Sequence, residues 1–164
     1  MNYVLLGLAV TLSLALVTIW SRRYFHDHNR DLEKWKQLRE RLSESDLEDL
    51  EYCTYQAREV PMELMDRLRL LADDFAEGRE DIRFSQRKER RLRRPKQTFA
   101  DAYRAYRDFV QVPYWDVYEE GWRLQKQWMV DQGIDYAKHL TLACEEIDVM
   151  RSAYREMHEA VDRW

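Results

Sequence analysis

The sequence predicts an all-α protein: an N-terminal single transmembrane helix followed by a cytoplasmic antiparallel bundle of about five helices. Three observations carry that expectation. The first twenty residues contain no charged side chain, although charged residues make up 35% of the 164-residue chain. Four glycines and three prolines are too few for the short strands and tight turns of an all-β fold. Beyond the uncharged head, apolar residues recur every three or four positions, which is the period of an amphipathic helix.

Residues 3–20 read YVLLGLAVTLSLALVTIW, eighteen positions without a charge. At about 1.5 Å per residue such a helix is roughly 27 Å long, enough to cross a hydrocarbon core of about 30 Å. Tyr3 and Trp20 bracket the run where the aromatic belts of a bilayer lie, and Tyr24 and Phe25 extend the second belt. A cleaved secretory signal fits less well: no Lys or Arg precedes the run, and Leu16 to Trp20 stay apolar beyond the small residues Ser13 and Ala15. Arg22, Arg23 and Arg30 follow the run and none precedes it, so positive residues staying inside leaves a short N-terminal tail outside. The expected location is an inner or plasma membrane, crossed once, with the C-terminal body cytoplasmic. Cys53 and Cys144 lack partners at metal-ligand or redox spacing and read as reduced, half-buried packing residues.

Residues 21–42 read as an amphipathic juxtamembrane stalk, with Leu32, Trp35, Leu38 and Leu42 on one face. Residues 46–164 then make the helical bundle. Ser45 and Glu48 have capping-box spacing for a short helix carrying Leu47, Leu50 and Ala57. Pro61 suits the first turn of the next, striped by Met62, Met65, Leu68, Leu71 and Phe75 and ended by Gly78. Residues 79–94 are helical in composition up to Pro95, which closes the segment. Phe99, Tyr103, Tyr106, Phe109 and Val110 give an aromatic face to a helix ending before Pro113, and Tyr114 to Trp128 suggest a second aromatic helix reaching Gly133. Leu140, Ala143, Ile147, Met150, Tyr154, Met157, Val161 and Trp164 step by three and four in an unbroken seam. That seam either closes the bundle or pairs with a second copy, the bundle being favoured because the earlier stripes also need covering.

The segment 83–96 is the most distinctive. Arg83, Arg87, Lys88, Arg90, Arg91, Arg93, Arg94 and Lys96 stand against Glu89 alone, a local excess of +7 that leaves −11 for the rest of a chain whose formal charge is −4. Such density, mostly arginine, suits anionic phosphates, which guanidinium forks grip in pairs of hydrogen bonds. Competing readings are a solvated connector paired with Asp73, Asp74, Glu77, Glu80 and Asp81, a contact with anionic lipid beneath the anchor, and, less favoured, nucleic acid. Tyr103, Tyr106, Tyr114, Trp115, Trp122 and Trp128 are candidate partner-binding aromatics wherever the core does not consume them.

Catalytic motifs are missing from the sequence: it has no Gly-rich phosphate loop, no G-x-S-x-G elbow, no H-E-x-x-H and no paired cysteine motif. The di-iron signature of helical bundles fails because Tyr136 and Arg155, not Glu, stand three residues before His139 and His158. No cofactor and no metal are expected. The reading is a non-catalytic scaffold, tether or regulator at the membrane, presenting a bundle to a protein partner or a second copy and an arginine-rich patch to anionic phosphates. The alternative is a membrane-anchored sensor or effector that binds nucleic acid or a phosphorylated ligand through the same segment.

Overall fold

The computed structural model describes residues 2–56, 59–110, 115–117 and 121–163, with side chains described except at 2–10, 116, 117 and 121–123. The chain is mostly helical. Helix α1 (Asn2–Arg41) is followed by α2 (Glu44–Tyr55), strand β1 (Val60–Pro61), α3 (Met62–Glu77) and a 3₁₀ turn (Glu80–Ile82). Then come α4 (Gln86–Val110), β2 (Trp115–Val117), β3 (Gly121–Leu124), α5 (Lys126–Asp131) and α6 (Tyr136–Asp162).

Helix α1 has two kinds of surface. Every residue from Thr11 to Trp20 is exposed. From Asp31 onward one face turns inward, and Trp35, Leu38 and Leu42 are buried. The uncharged run and the segment 21–41 therefore form one continuous helix. Among the described residues no helix is long and apolar enough to cross a membrane. Of the apolar run, residues 3–10 lie outside the described side chains, and Thr11–Trp20 are within them.

The helix stops at Ser43, which caps α2 through a capping box with Asp46. The expected box was Ser45 with Glu48. Asp46 takes the third helical position and accepts from both the Ser43 backbone N–H (2.6 Å) and hydroxyl (2.7 Å). Gly78 ends α3 in a left-handed conformation (φ 64°) that β-substituted residues adopt at a cost.

Helices α4 and α6 are the central pair. They run antiparallel, as the contacts Phe109 with His139 at one end and Lys88 with Val161 at the other require. Helix α3 packs on α4 through Phe75 and Phe99, whose rings meet edge-on at 5.6 Å. Helix α2 lies along α6 with the ion pairs Glu44–Arg155 and Glu51–Arg151. The α6 seam is thus satisfied within the chain: Leu140, Ala143, Ile147, Met150, Tyr154, Met157 and Val161 are all buried. Trp164 lies outside the described residues. Tyr154 also donates to the Leu42 carbonyl at 2.6 Å, and Trp35 packs against the rings of Tyr154 and His158. These contacts tie α6 to the stalk half of α1.

Two expectations about α4 and its neighbour are corrected. Pro95 does not close a segment; it sits buried inside α4. The hydrogen bond that proline forfeits costs about 3 kcal/mol in an open helix, but burial of Leu92, Phe99 and Ala100 on either side of it offsets the loss. The second aromatic helix is likewise absent, because β2 and β3 replace its first half and α5 is short. The three strands form one antiparallel sheet in the order β1-β3-β2, with Val60 opposite Trp122 and Trp115 opposite Leu124. Aromatic and β-branched residues suit strands, and Gly121 weakens a helix by about 1 kcal/mol.

Candidate anionic-contact surface

The first half of α4 carries most of the basic segment and divides it by burial. Lys88 and Lys96 point inward with 5% and 4% of their surface exposed, whereas Arg83, Arg87, Arg90, Arg91, Arg93 and Arg94 are exposed. The two lysines are therefore removed from the phosphate-contact set, and the six exposed arginines stay in it. Helical spacing explains the split: Lys88, Leu92, Pro95, Lys96 and Phe99 recur at three and four residues on the face that meets α3 and α6.

Each buried lysine has its own partners. Lys96 Nζ donates to both Glu89 carboxylate oxygens at 2.9 Å and to the Ile82 carbonyl at 3.0 Å, and it lies over the Phe84 ring. Glu89 in turn accepts from the Phe84 backbone N–H at 2.9 Å. Lys88 Nζ faces Asp31 at 4.0 Å, His28 Nδ1 at 3.4 Å and the Val161 carbonyl at 3.4 Å. Burial lowers the pKa of both ammonium groups; Asp31 and Asp162 oppose the shift at Lys88, and Glu89 opposes it at Lys96.

Asp31 is the joint between stalk and body. It is fully buried, and its carboxylate accepts from the Ser85 backbone N–H at 2.8 Å and the Ser85 hydroxyl at 2.5 Å. Lys34 adds hydrogen bonds to the carbonyls of Glu80 (2.9 Å) and Arg83 (2.6 Å). These contacts fix the start of α4 against α1 about 16 Å beyond Trp20, taking about 1.5 Å per residue. Because α4 is antiparallel to α6, and α6 reaches the same joint with its C-terminal end, the basic half of α4 is the end of the bundle nearest the apolar run. The sequence offered no pointer to Asp31 or Ser85, which are 54 residues apart.

Three of the acidic residues expected to neutralise the basic segment, Asp73, Asp74 and Glu77, are occupied elsewhere. Asp74 is buried and pairs with Arg41 (2.5 Å) and Arg79 (3.2 Å), Asp73 with Arg69 (3.8 Å), and Glu77 with Arg79 (3.1 Å). Among the described residues, no ion pair joins Arg83, Arg90, Arg93 or Arg94 to a carboxylate.

Two clefts flank the basic half of α4. One, of about 560 Å³, lies between it and α1 and is lined by Trp20, Arg23, Tyr24, His28, Arg30 and Arg87 among others. The other, of about 760 Å³, lies on the α3 side and takes in Arg83, Arg90, Arg93 and Lys96.

Of the candidate partner-binding aromatics, the core takes three. Tyr103, Tyr106 and Trp115 are buried core residues and so leave the set of candidate contacts. The Tyr106 hydroxyl shares a 3.0 Å hydrogen bond with Thr54, and burial raises its pKa; Tyr103 is pushed up to about 12 by burial. Trp128 is half-buried against the core. Tyr114 and the side chain of Trp122 lie outside the described residues.

Among the described residues, no three His, Cys, Asp or Glu side chains are placed to hold a metal ion. His139 donates from Nε2 to the Phe109 carbonyl at 2.7 Å, Asp135 caps α6, and His158 pairs with Asp162 at 3.1 Å. No family model, no curated protein and no solved structure matches the chain.

Proposed function

We propose that this protein is a non-catalytic, membrane-anchored tether, scaffold or regulator. In this reading the first half of α1, over residues 3–20, crosses an inner or plasma membrane once, and the bundle lies on the cytoplasmic side with its arginines toward anionic lipid phosphates. The observation that carries it is positional. The half of α4 bearing exposed arginines is held by Asp31 and Ser85 close beneath a helix stretch that is exposed on every face from Thr11 to Trp20. An apolar helix with no polar side suits lipid, and each basic residue near an anionic leaflet is worth about 1 kcal/mol.

With the α6 seam and three of the candidate aromatics buried in the core, a protein partner is left the outer helix faces. The test uses the full chain. It should resist extraction from membranes by alkaline carbonate, and in nanodiscs containing phosphatidylglycerol it should enrich that lipid around itself. Release by carbonate alone would sink the anchor. Retention of a short RNA, falling steeply with salt and indifferent to lipid composition, would give the arginines to nucleic acid instead.

A further inference from the structure

The anchored reading leaves open whether the basic surface acts only as a diffuse charge or contains a defined site. The cleft between α1 and the start of α4 has the make-up of a site. Along α1, Trp20, Tyr24 and His28 repeat every four residues and stack as a ladder: Trp20 on Tyr24 at 5.7 Å and 20°, Tyr24 on His28 at 6.3 Å and 1°. The ladder lines one wall, beginning at the residue that ends the apolar run. Arg87 lines the cleft from α4, and Arg23 and Arg30 line it from α1.

The floor is rigid. Asp31 is locked by two hydrogen bonds from Ser85, and Lys88 is buried beside it. Four basic and two acidic side chains line the cleft, so its lining is net positive; Asp27 has Arg30 at 3.5 Å, and Asp31 faces Lys88. A volume of about 560 Å³ is ample for a headgroup and its glycerol. The larger cleft on the α3 side is a weaker candidate, since its lining includes no residue of α1 and so neither the aromatic ladder nor the end of the apolar run.

We infer that the cleft between α1 and α4 is a specific site for the phosphate of one anionic phospholipid, with the guanidinium groups of Arg23 and Arg87 on the phosphate oxygens and the Trp20–Tyr24 ladder against the glycerol. Charge and position select the ligand. Guanidinium forks bind phosphate in paired hydrogen bonds, aromatic rings settle at headgroup depth, and Trp20, the last residue of the apolar run, lines the cleft. Soluble phosphate shares the first of these features and neither of the others. The inference rests on the anchored reading and makes a sharper demand, a single bound lipid.

The experiment is native mass spectrometry of the full chain in neutral detergent, titrated with phosphatidylglycerol, phosphatidylcholine or inorganic phosphate. One phosphatidylglycerol per chain is expected, held in preference to phosphatidylcholine and not displaced by inorganic phosphate. R23Q/R87Q should weaken that binding about 30-fold, from about 1 kcal/mol per basic residue. R93Q/R94Q, on the far part of the segment, should leave it unchanged. Equal retention of phosphatidylcholine, displacement by phosphate, or a spread of stoichiometries without a first tight lipid each overturns the site. The broader reading fails differently: lipid enrichment in nanodiscs would be lost although a single lipid stayed bound to the detergent-solubilised chain.

Discussion

The two faces of α4 carry the same kind of charge and use it in opposite ways. On the inner face Lys88 and Lys96 are buried among Leu92, Pro95 and Phe99, and both ammonium groups answer carboxylates or carbonyls of the chain itself. On the outer face the arginines project into solvent, and Asp73, Asp74 and Glu77 are engaged by Arg69, Arg41 and Arg79. Lysine, with a flexible stem and one compact charge, can lay its methylenes in the core and reach a single partner; the broad guanidinium fork suits an interface. A run of like charge is therefore two structures superposed with helical period. Only one of them is a surface.

The largest break in that comparison comes from the apolar part of the inner face. Phe99 is fully buried and meets Phe75 edge-on. Phe99→Ala should cost about 3–5 kcal/mol, read as a lower urea midpoint for the full chain in detergent. A loss below about 1 kcal/mol would mean that α3 and α4 do not share a packed core. Next is Lys96→Ala, which leaves Glu89 and the Ile82 carbonyl without their ammonium partner and should cost about 3 kcal/mol, because a partly buried charge is stranded. Adding Glu89→Gln should recover much of that loss. If Lys96→Ala proved neutral, Lys96 would belong with the outer arginines and the two-faced description would fail.

How much of this was legible in the sequence depends on range. Periodicity located the core stripes of α3, α4 and α6, since burial of one helix face is a local property of spacing. Ser43 as the end of the stalk was also readable, although the capping partner was off by two residues because Ser43 and Ser45 both have an acid three positions on. The strands at Trp115 and Gly121 were missed. Aromatic residues at mixed spacing fit both periods, and the β1–β3 pairing joins segments about sixty residues apart. The same limit hid the Asp31–Ser85 joint, and only that long-range contact turns a basic stretch into a surface with a defined position beside α1. The charge cluster was visible at once. Which of its members face outward required knowing that Pro95 lies inside a helix.

On the outer face stability should barely respond. The combined variant R90Q/R93Q/R94Q is expected to shift the urea midpoint by no more than about 0.5 kcal/mol per site, as for solvent-facing substitutions without partners. It should still reduce phosphatidylglycerol enrichment in nanodiscs, the more so at low salt. A large stability loss from these three arginines would show that they have structural partners within the fold, and the division between faces would have to be redrawn.

The smallest effect is a pH dependence that isolates Lys88. Burial makes its ammonium release the proton more readily in the folded chain, with Asp31 and Asp162 acting in the opposite sense. Between that lowered value and the ordinary 10.5, the unfolded chain binds more protons than the folded one, so the lysine's contribution to stability rises with pH across the window. Other groups oppose this: Cys144 is pushed up to about 11 and Tyr154 to about 12, chiefly by burial, and each holds its proton more tightly when folded, which lowers stability as pH rises. Comparing the wild type with Lys88→Met cancels those shared contributions. The stability difference between the two should move in favour of the wild type as pH rises toward the ordinary 10.5, whatever its sign at the start. Parallel curves would mean that Lys88 titrates as a solvated lysine and that the floor of the α1–α4 cleft is open to water.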